Sequence, residues 1–171
     1  MNKIKLLFMV TTLLTWSCSK EEPEIRLSQF ETPVVTGFEL RDEFGNLNKV
    51  IGNPNIKLGN ESNDHTSEYY FITFPNPSIN SCRVNIKTPN PHSIKRVWIV
   101  EAKYFGNSSS STTHLGASSL IDVGGSPLIQ SEGPYNGLIS IDLSSIKEGY
   151  YRIYLEVDHL ILYDNLIIEN N

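Results

Sequence analysis

The amino-acid sequence predicts an all-β protein, an antiparallel β-sandwich of about seven to nine strands, and three observations support this prediction. β-branched and aromatic residues dominate the apolar runs, while glycine, proline, asparagine and serine separate them, as is typical of short strands joined by turns. The three-to-four-residue apolar spacing of an amphipathic helix does not recur over a useful length. About 150 residues follow the first cysteine, enough for one domain with its own core.

Residues 1–17 have the layout of a secretory signal peptide. Lys3 and Lys5 make its start basic, and residues 6–14 form an apolar stretch that only two threonines interrupt. This stretch is far shorter than the roughly 20 apolar residues that a membrane-spanning helix needs. We therefore expect residues 1–17 to direct export and then to be removed.

Cys18 follows the small Ser17 and resembles the acceptor cysteine of a bacterial lipobox, to which a diacylglyceryl group is attached. The sequence departs from a lipobox at Thr15 and Trp16, where leucine and a small residue are preferred. A plain signal peptide followed by an unmodified Cys18 is the alternative. Each buried methylene of a lipid chain contributes about 0.8 kcal/mol, so the two or three chains of a lipoprotein would hold the protein permanently.

The four residues after the cysteine, Ser19, Lys20, Glu21 and Glu22, resemble a lipoprotein export signal of Gram-negative bacteria with a type IX secretion system. This resemblance implies a lipid-anchored protein on the outer face of the outer membrane; the periplasmic face is the alternative. A solvated, charged tether is the simpler interpretation of the same residues. In either case we expect residues 18–32 to be a flexible tether.

The chain is acidic, with a formal net charge of −5. Loss of Lys3 and Lys5 with the signal peptide makes the mature net charge about −7. An acidic surface argues against binding to nucleic acid and to anionic membranes. The expected partners are outer-membrane lipid, through acylated Cys18, and a protein or glycan ligand.

Two cysteines are present, Cys18 and Cys82. If Cys18 carries lipid, Cys82 has no disulfide partner even in an oxidising compartment. Cys82 shares a predicted strand face with Val84 and Ile86, which predicts a buried, unreactive thiol.

Residues 33–171 are expected to form a single domain. Turn residues at 42–46 and the Pro-Asn-Pro sequences at 75–77 and 89–91 are expected to end the strands that precede them. The strand candidates before residue 94 are residues 34–41, 47–51, 56–58, 69–74 and 82–88.

The second half of the domain continues with a long strand over residues 94–105, in which Val97 and Ile99 face inward. A serine- and threonine-rich loop follows at 106–113. Later strand candidates are weak at 118–123 and 127–130, and clear at 139–143, 151–157 and 160–168, with a tight corner at 143–149.

Parts of residues 70–169 resemble the C-terminal sorting domain of the type IX secretion system. The segment from Phe74 to Ser78, with the strands after it, resembles the opening of that domain, and residues 139–153 and 166–168 resemble its second half and last strand. The resemblance implies an immunoglobulin-like β-sandwich. Because this chain has a predicted lipid anchor and no cargo enzyme, we expect shared architecture rather than a sorting function.

The chain departs from the sorting-domain pattern in two places. About 30 residues, 106–136, are inserted after the Val97 strand, and residues other than the usual basic ones stand near the last strand, at His159, Asp164 and Asn165. A working secretion signal in the C-terminal region is the less favoured interpretation.

Tyr150 and Tyr151 follow the glycine of the 143–149 corner, where either could form a tyrosine corner by bonding back to the backbone. Simple packing of aromatic rings at the start of a strand is the alternative.

The sequence shows no catalytic or metal-binding motif of a known kind. A calcium site at Glu61, Asp64 and Glu68 is conceivable, although a solvated acidic loop is the simpler interpretation. We expect no cofactor, no metal and no enzymatic activity. The four histidines lie in or beside predicted loops and lack zinc-ligand spacing: His65, His92, His114 and His159.

Aromatic residues are the best candidates for ligand contacts. We expect Trp98, Tyr104 and Tyr154 on outward strand faces, where a flat ring with a polar edge suits protein or sugar contacts. Cross-strand packing on a sheet face is the alternative.

The sequence therefore predicts a lipid-anchored binding or adhesion module, with ligand bound by loops at one end and foremost by residues 106–136. A structural or accessory subunit of an envelope or secretion assembly, paired through an edge strand, is the alternative. A divergent hydrolase is the least favoured interpretation.

Overall fold

The structure is a computed structural model that describes residues 32–52, 54, 68–106, 124–158 and 160–170. Every helix or strand assigned in these ranges is a β-strand, so the prediction of an all-β fold is confirmed. The described residues hold eleven strands, more than the seven to nine expected. The signal peptide, Cys18, the export signal, and the strand candidates at 56–58 and 118–123 lie outside the described residues.

The strands follow one another with the bounds β1 Val34–Val35, β2 Gly37–Arg41, β3 Leu47–Gly52, β4 Tyr70–Ile79, β5 Ser81–Lys87, β6 Lys95–Glu101, β7 Lys103–Tyr104, β8 Ile129–Gly133, β9 Gly137–Asp142, β10 Gly149–Val157 and β11 Leu160–Ile168.

Two sheets pack face to face as a β-sandwich. The short sheet has the order β4-β5-β9, and the long sheet has the order β3-β2-β4-β11-β10-β6-β8. Strand β4 belongs to both sheets, and among the described strands of the long sheet only β4 and β11 pair in parallel. Strands β1 and β7 form a separate parallel pair. The antiparallel sandwich that the sequence predicts is therefore present, with one strand shared between its layers.

The first Pro-Asn-Pro sequence does not end its strand, so that prediction is wrong. Strand β4 continues through Pro75 and Pro77, both of which follow cis peptide bonds. The main run of pairs between β4 and β5 stops at Phe74, and Asn76 then pairs with β2. A proline has no N–H to donate, and here the prolines fall where the strand changes partners. The second Pro-Asn-Pro, at 89–91, does follow the end of β5.

The main core lies between the two sheets, and the alternation of residues 151–157 decides which side chains enter it. Val97 and Ile99 face inward as predicted. Full burial of one such side chain contributes about 1.5–3 kcal/mol. The buried residues of this core are Phe71, Cys82, Val84, Ile86, Val97, Ile99, Leu143, Ile146, Tyr151, Ile153, Leu155, Val157, Leu162, Leu166 and Ile168.

Polar side chains link β11 to its neighbours near the point where β4 changes partners. The Asp164 carboxylate accepts hydrogen bonds from the backbone N–H groups of Thr73 and Asn165, both at 2.8 Å. The Asn165 side chain donates to the Gly37 carbonyl at 3.1 Å and accepts from Arg152 Nε at 3.1 Å. Asp164 and Asn165, two departures from the sorting-domain pattern, are buried and help hold the long sheet together.

Candidate functional site

Strand β8 is an edge of the long sheet, and strand β9 is an edge of the short sheet. These two strands lie on the same side of the sandwich and do not pair with each other. Among the strands of the described ranges, β8 pairs with β6 alone and β9 pairs with β5 alone. Residues 134–136 connect β8 to β9 and so carry the chain from the long sheet to the short one. Within the described residues the sandwich is consequently open along this side, between the unpaired edges of β8 and β9.

A cavity of about 260 Å³ lies in this opening, which we call the β8–β9 groove. This volume is just below the range of about 300–1,000 Å³ that is common for small-molecule sites, so the groove has room for a few apolar side chains rather than for a large ligand. Its floor is formed by β6. The half-buried apolar side chains that line it are Ile129, Tyr135, Ile139 and Ile141, with Ser131, Ser140 and Asp142 as polar neighbours.

Strand alternation explains why the groove is apolar. On β9, the half-buried Ile139 and Ile141 pack toward the core, while Leu138, Ser140 and Asp142 alternate with them and are exposed. The inward residues pack against the main core and still stay only half-buried. An edge strand covers its inward side chains on one side only, so the groove is what remains uncovered at the margin of the core.

Tyr135 closes the end of the groove at which the chain crosses between the sheets. Its hydroxyl forms a hydrogen bond with the Ser131 hydroxyl, and its N–H donates to the Gly133 carbonyl at 2.8 Å. A Cβ atom at Gly133 would lie 3.1 Å from the Tyr135 ring, so a side chain at this position would shift the ring slightly. The ring is therefore fixed from both its hydroxyl and its backbone.

Asp142 carries the only carboxylate among the described groove-lining residues. Its Oδ1 accepts a hydrogen bond from the Ser144 N–H at 2.9 Å, and this bond, with help from the Ser144 hydroxyl, lowers the pKa of the carboxyl group. Asp142 is exposed and takes part in no ion pair found among the described residues. It therefore places a negative charge beside an apolar groove at neutral pH.

The aromatic residues predicted to face solvent are placed differently by the structure. Trp98 and Tyr154 lie on the face of the long sheet opposite the main core, but they are only 6% and 0% exposed, so the expected exposure is wrong. They are register partners on β6 and β10, and their rings stack at 5.1 Å. Cross-strand packing, the alternative interpretation, is confirmed for this pair.

The third aromatic candidate, Tyr104, is half-buried. Its ring lies 5.2 Å from Phe38 and 5.1 Å from Tyr150. These ring contacts link β7 to β2 and to β10. The three predicted contact residues thus do not form one exposed surface.

Tyr151 forms the predicted tyrosine corner. Its hydroxyl donates to the Lys147 carbonyl at 2.7 Å, across a turn in which the Ile146 N–H donates to the Leu143 carbonyl at 2.9 Å. Tyr150, the other candidate, instead stacks on Phe38 with ring centroids 5.4 Å apart. The corner fixes the entry to β10, which runs through the centre of the long sheet.

Cys82 is fully buried in the main core, as predicted. Burial, reinforced by the negative charge of Asp164, raises the pKa of the thiol to about 12. A thiol with such a pKa carries almost no thiolate at neutral pH, and the thiolate is the reactive form. Cys82 is consequently a packing residue.

Metal ligands do not converge anywhere in the part of the chain that the structure describes. His92 lies exposed in the turn after β5. The remaining histidines, together with Glu61 and Asp64 of the conceivable calcium site, lie outside that part. Within the same ranges no helix is long and apolar enough to cross a membrane.

Comparison with protein-family models and with curated proteins finds no match to this chain. The β8–β9 groove and the N-terminal sequence pattern are therefore the features on which a function can be proposed.

The groove was only partly foreseeable. The sequence places ligand binding in residues 106–136, and the described part of that segment supplies Ile129, Ser131 and Tyr135 to the groove. The strand candidate at 127–130 corresponds to β8, shifted to Ile129–Gly133. Nothing in the local sequence indicates that β8 and β9 end different sheets on the same side of the molecule.

Proposed function

We propose that this protein is a lipid-anchored module of the outer membrane, displayed on the cell surface, that binds a protein or glycan ligand in the β8–β9 groove. The observation that carries the binding proposal is the groove itself, in which Ile129, Ile139 and Ile141 are half-buried beside a fixed tyrosine ring. Apolar concavities with a few polar groups are the usual sites of binding.

The anchor is proposed from the sequence. A basic start, a short apolar stretch and a small residue before Cys18 support acylation, and the acidic residues after Lys20 support export to the surface. Lipid chains hold a protein without any contribution from its folded surface. The groove is then free for a ligand rather than needed for membrane contact.

We also propose that this domain shares the architecture of the type IX sorting domain. What supports it is the two-sheet sandwich together with the Tyr151 corner, because tyrosine corners recur in immunoglobulin-like domains. The placement of Asp164 and Asn165 within the long sheet fits a binding module that keeps the architecture without the basic residues of the family.

Surface proteolysis of intact cells, combined with mass analysis of the N-terminal peptide, tests anchor and orientation together. We expect the N-terminal peptide to begin at Cys18 with the added mass of acyl chains, and protease to remove the domain from intact cells. Cys18→Ala is the control, which should be released without detergent. An unmodified Cys18, or a domain that protease reaches only after lysis, would contradict the proposal.

Ligand binding is tested by probing glycan and protein arrays with the purified chain and with an Ile141→Glu variant. A charge at Ile141 places an unpaired carboxylate in the apolar groove, so ligands of the groove should be lost from the variant. Leu138→Glu, on the outward face of the same strand, is the matched control. Ligands retained equally by both variants would locate binding elsewhere.

An accessory subunit of an envelope assembly is the second candidate, favoured by the free edge of β9. A cross-link from β9 to one integral membrane protein, with no array ligand, would select it. A hydrolase has less support, since Asp142 is the one carboxylate among the described groove-lining residues and glycoside hydrolysis commonly uses two.

A further inference from the structure

Among the strands that the structure describes, β9 has an unpaired edge that differs from the other sheet edges. Natural proteins protect edge strands with lysine, proline or a charge within the strand. Strand β3, the edge at the far end of the long sheet, contains Lys49, and β8 contains Glu132 and is followed by Pro134. The β9 sequence Gly-Leu-Ile-Ser-Ile-Asp has no lysine or proline, and its one charge is at its last residue. The β9 edge thus lacks these protective features.

We propose that β9 accepts an extended peptide segment of another polypeptide as an added strand, with apolar residues at alternate positions of that segment filling the β8–β9 groove and a basic residue beside Asp142. This inference rests on the proposed binding function and gives the ligand its chemical class. Backbone hydrogen bonds to the strand edge supply affinity in such complexes, and pockets for alternate side chains supply specificity.

The length of β9 fits this occupant. Six residues of β9 extend about 20 Å at roughly 3.3 Å per residue, so a segment of about six residues matches the edge. An added strand would direct every second side chain toward Ile129 and Ile139, which are half-buried now. It would extend the short sheet from three strands to four and cover the open margin of the core.

The charge of Asp142 favours peptide segments that carry a basic residue. Asp142 is ionised, exposed and in no ion pair found among the described residues, and it stands at the end of β9 away from Tyr135 and the chain crossing. A lysine, arginine or free amino group at the matching end of the segment complements it. A glycan offers neither the alternating apolar side chains nor this cation, so the geometry favours a peptide.

Synthetic hexapeptides provide the test, measured by amide chemical shifts of the full chain in detergent micelles. The probe alternates valine and threonine and has lysine at one end; a second peptide has glutamate there. Two further peptides carry N-methyl groups on one or the other alternate set of amides. We expect the first probe to shift the amides of β9 and to give contacts across to its backbone. One methylated peptide should lose binding, since only one set of amides faces β9.

Variants on one strand locate the site. Ile139→Lys puts a charge into the groove and should weaken binding at least about tenfold, whereas Leu138→Lys, facing outward, should leave it within about twofold. Asp142→Lys is an exposed change that tests the site independently of folding in the core. It should reverse the preference between the lysine and glutamate peptides by about threefold.

Each outcome decides the inference. Shifts confined to other loops, equal binding of both methylated peptides, or no shift at millimolar peptide would overturn strand addition. An array glycan that is lost from Ile141→Glu while the peptides fail would overturn this inference and leave the proposed binding function intact. If Cys18 of the native protein proves unmodified, the membrane anchor is overturned. Uptake of the peptide by that same protein would leave strand addition intact.

Discussion

The side-chain amide of Asn76 donates one hydrogen bond to the carbonyl of Asn165 at 2.9 Å and another to the Glu39 carbonyl at 2.8 Å. Its oxygen accepts the N–H of Ile167 at 2.9 Å. One buried side chain thus supplies bonds to the backbones of β2 and β11 at the point where β4 passes from the short sheet to the long one. Asn76, which stands between two prolines, thus bridges the two neighbours of β4 in the long sheet.

Replacement of Asn76 should therefore destabilise the fold strongly. Asn76→Ala leaves backbone groups of three residues without this partner in a buried place, and we expect a loss of about 3 kcal/mol in the free energy of unfolding. Urea denaturation followed by the fluorescence of Trp98 measures it. Asn48→Ala, on exposed strand β3, is the control and should change stability by less than about 0.5 kcal/mol. Equal effects of the two changes would contradict this account.

Removal of the Tyr151 hydroxyl tests the tyrosine corner. Tyr151→Phe keeps the buried ring and deletes the bond to the Lys147 carbonyl, so unfolding should become easier by about 1 kcal/mol. Tyr150→Phe, one residue earlier with a half-exposed ring, should have almost no effect. Thermal melts of both variants give the comparison, and a Tyr151→Phe variant that melts with the wild type would show that this hydroxyl adds nothing.

Lys95 is predicted to hold the turn between β5 and β6. The residue is buried, and its ammonium group donates to the carbonyls of Asn90 at 3.2 Å and of Ser93 at 3.0 Å. Lys95→Met keeps the apolar stem but leaves these carbonyls without the cation, so we expect a loss of about 2 kcal/mol. Lys103→Met, at an exposed position, should be neutral. Faster amide exchange at residues 90–93 in the first variant alone would support this role.

Cys82 should make stability fall in alkali. The folded protein keeps the thiol protonated up to a pKa of about 12, whereas the unfolded chain releases the proton near the ordinary value of 9.0. The stabilising contribution is fully present below pH 9 and is lost as the pH rises toward 12. Relative to Cys82→Ala, the wild type should lose about 1.4 kcal/mol per pH unit in this window. Parallel stability curves of the two proteins from pH 8 to 11 would refute the prediction.

The sequence correctly predicted the features that depend on residues close together along the chain. The period of two in residues 151–157 assigned Tyr151 and Ile153 to the core, since a strand turns alternate side chains to opposite faces. The same rule placed Cys82 inside. The same rule correctly assigned Trp98 and Tyr154 to the other face. Their burial depends on cross-strand neighbours, and the spacing of residues within one strand does not predict those neighbours.

The sequence by itself determined an all-β chain, the inward face of its central strands and the buried thiol, because each follows from side-chain spacing within a few residues. It offered Tyr150 and Tyr151 as candidates for a tyrosine corner, and the structure selected Tyr151. Only the tertiary structure decided that β4 runs through its prolines, that Asp164 and Asn165 serve as buried acceptors and donors, and that β8 and β9 leave a groove between them. These features depend on which distant strands become neighbours. The packing of the whole sandwich decides which strands pair. The groove lies at the edge of the sandwich, where β8 and β9 face each other without pairing.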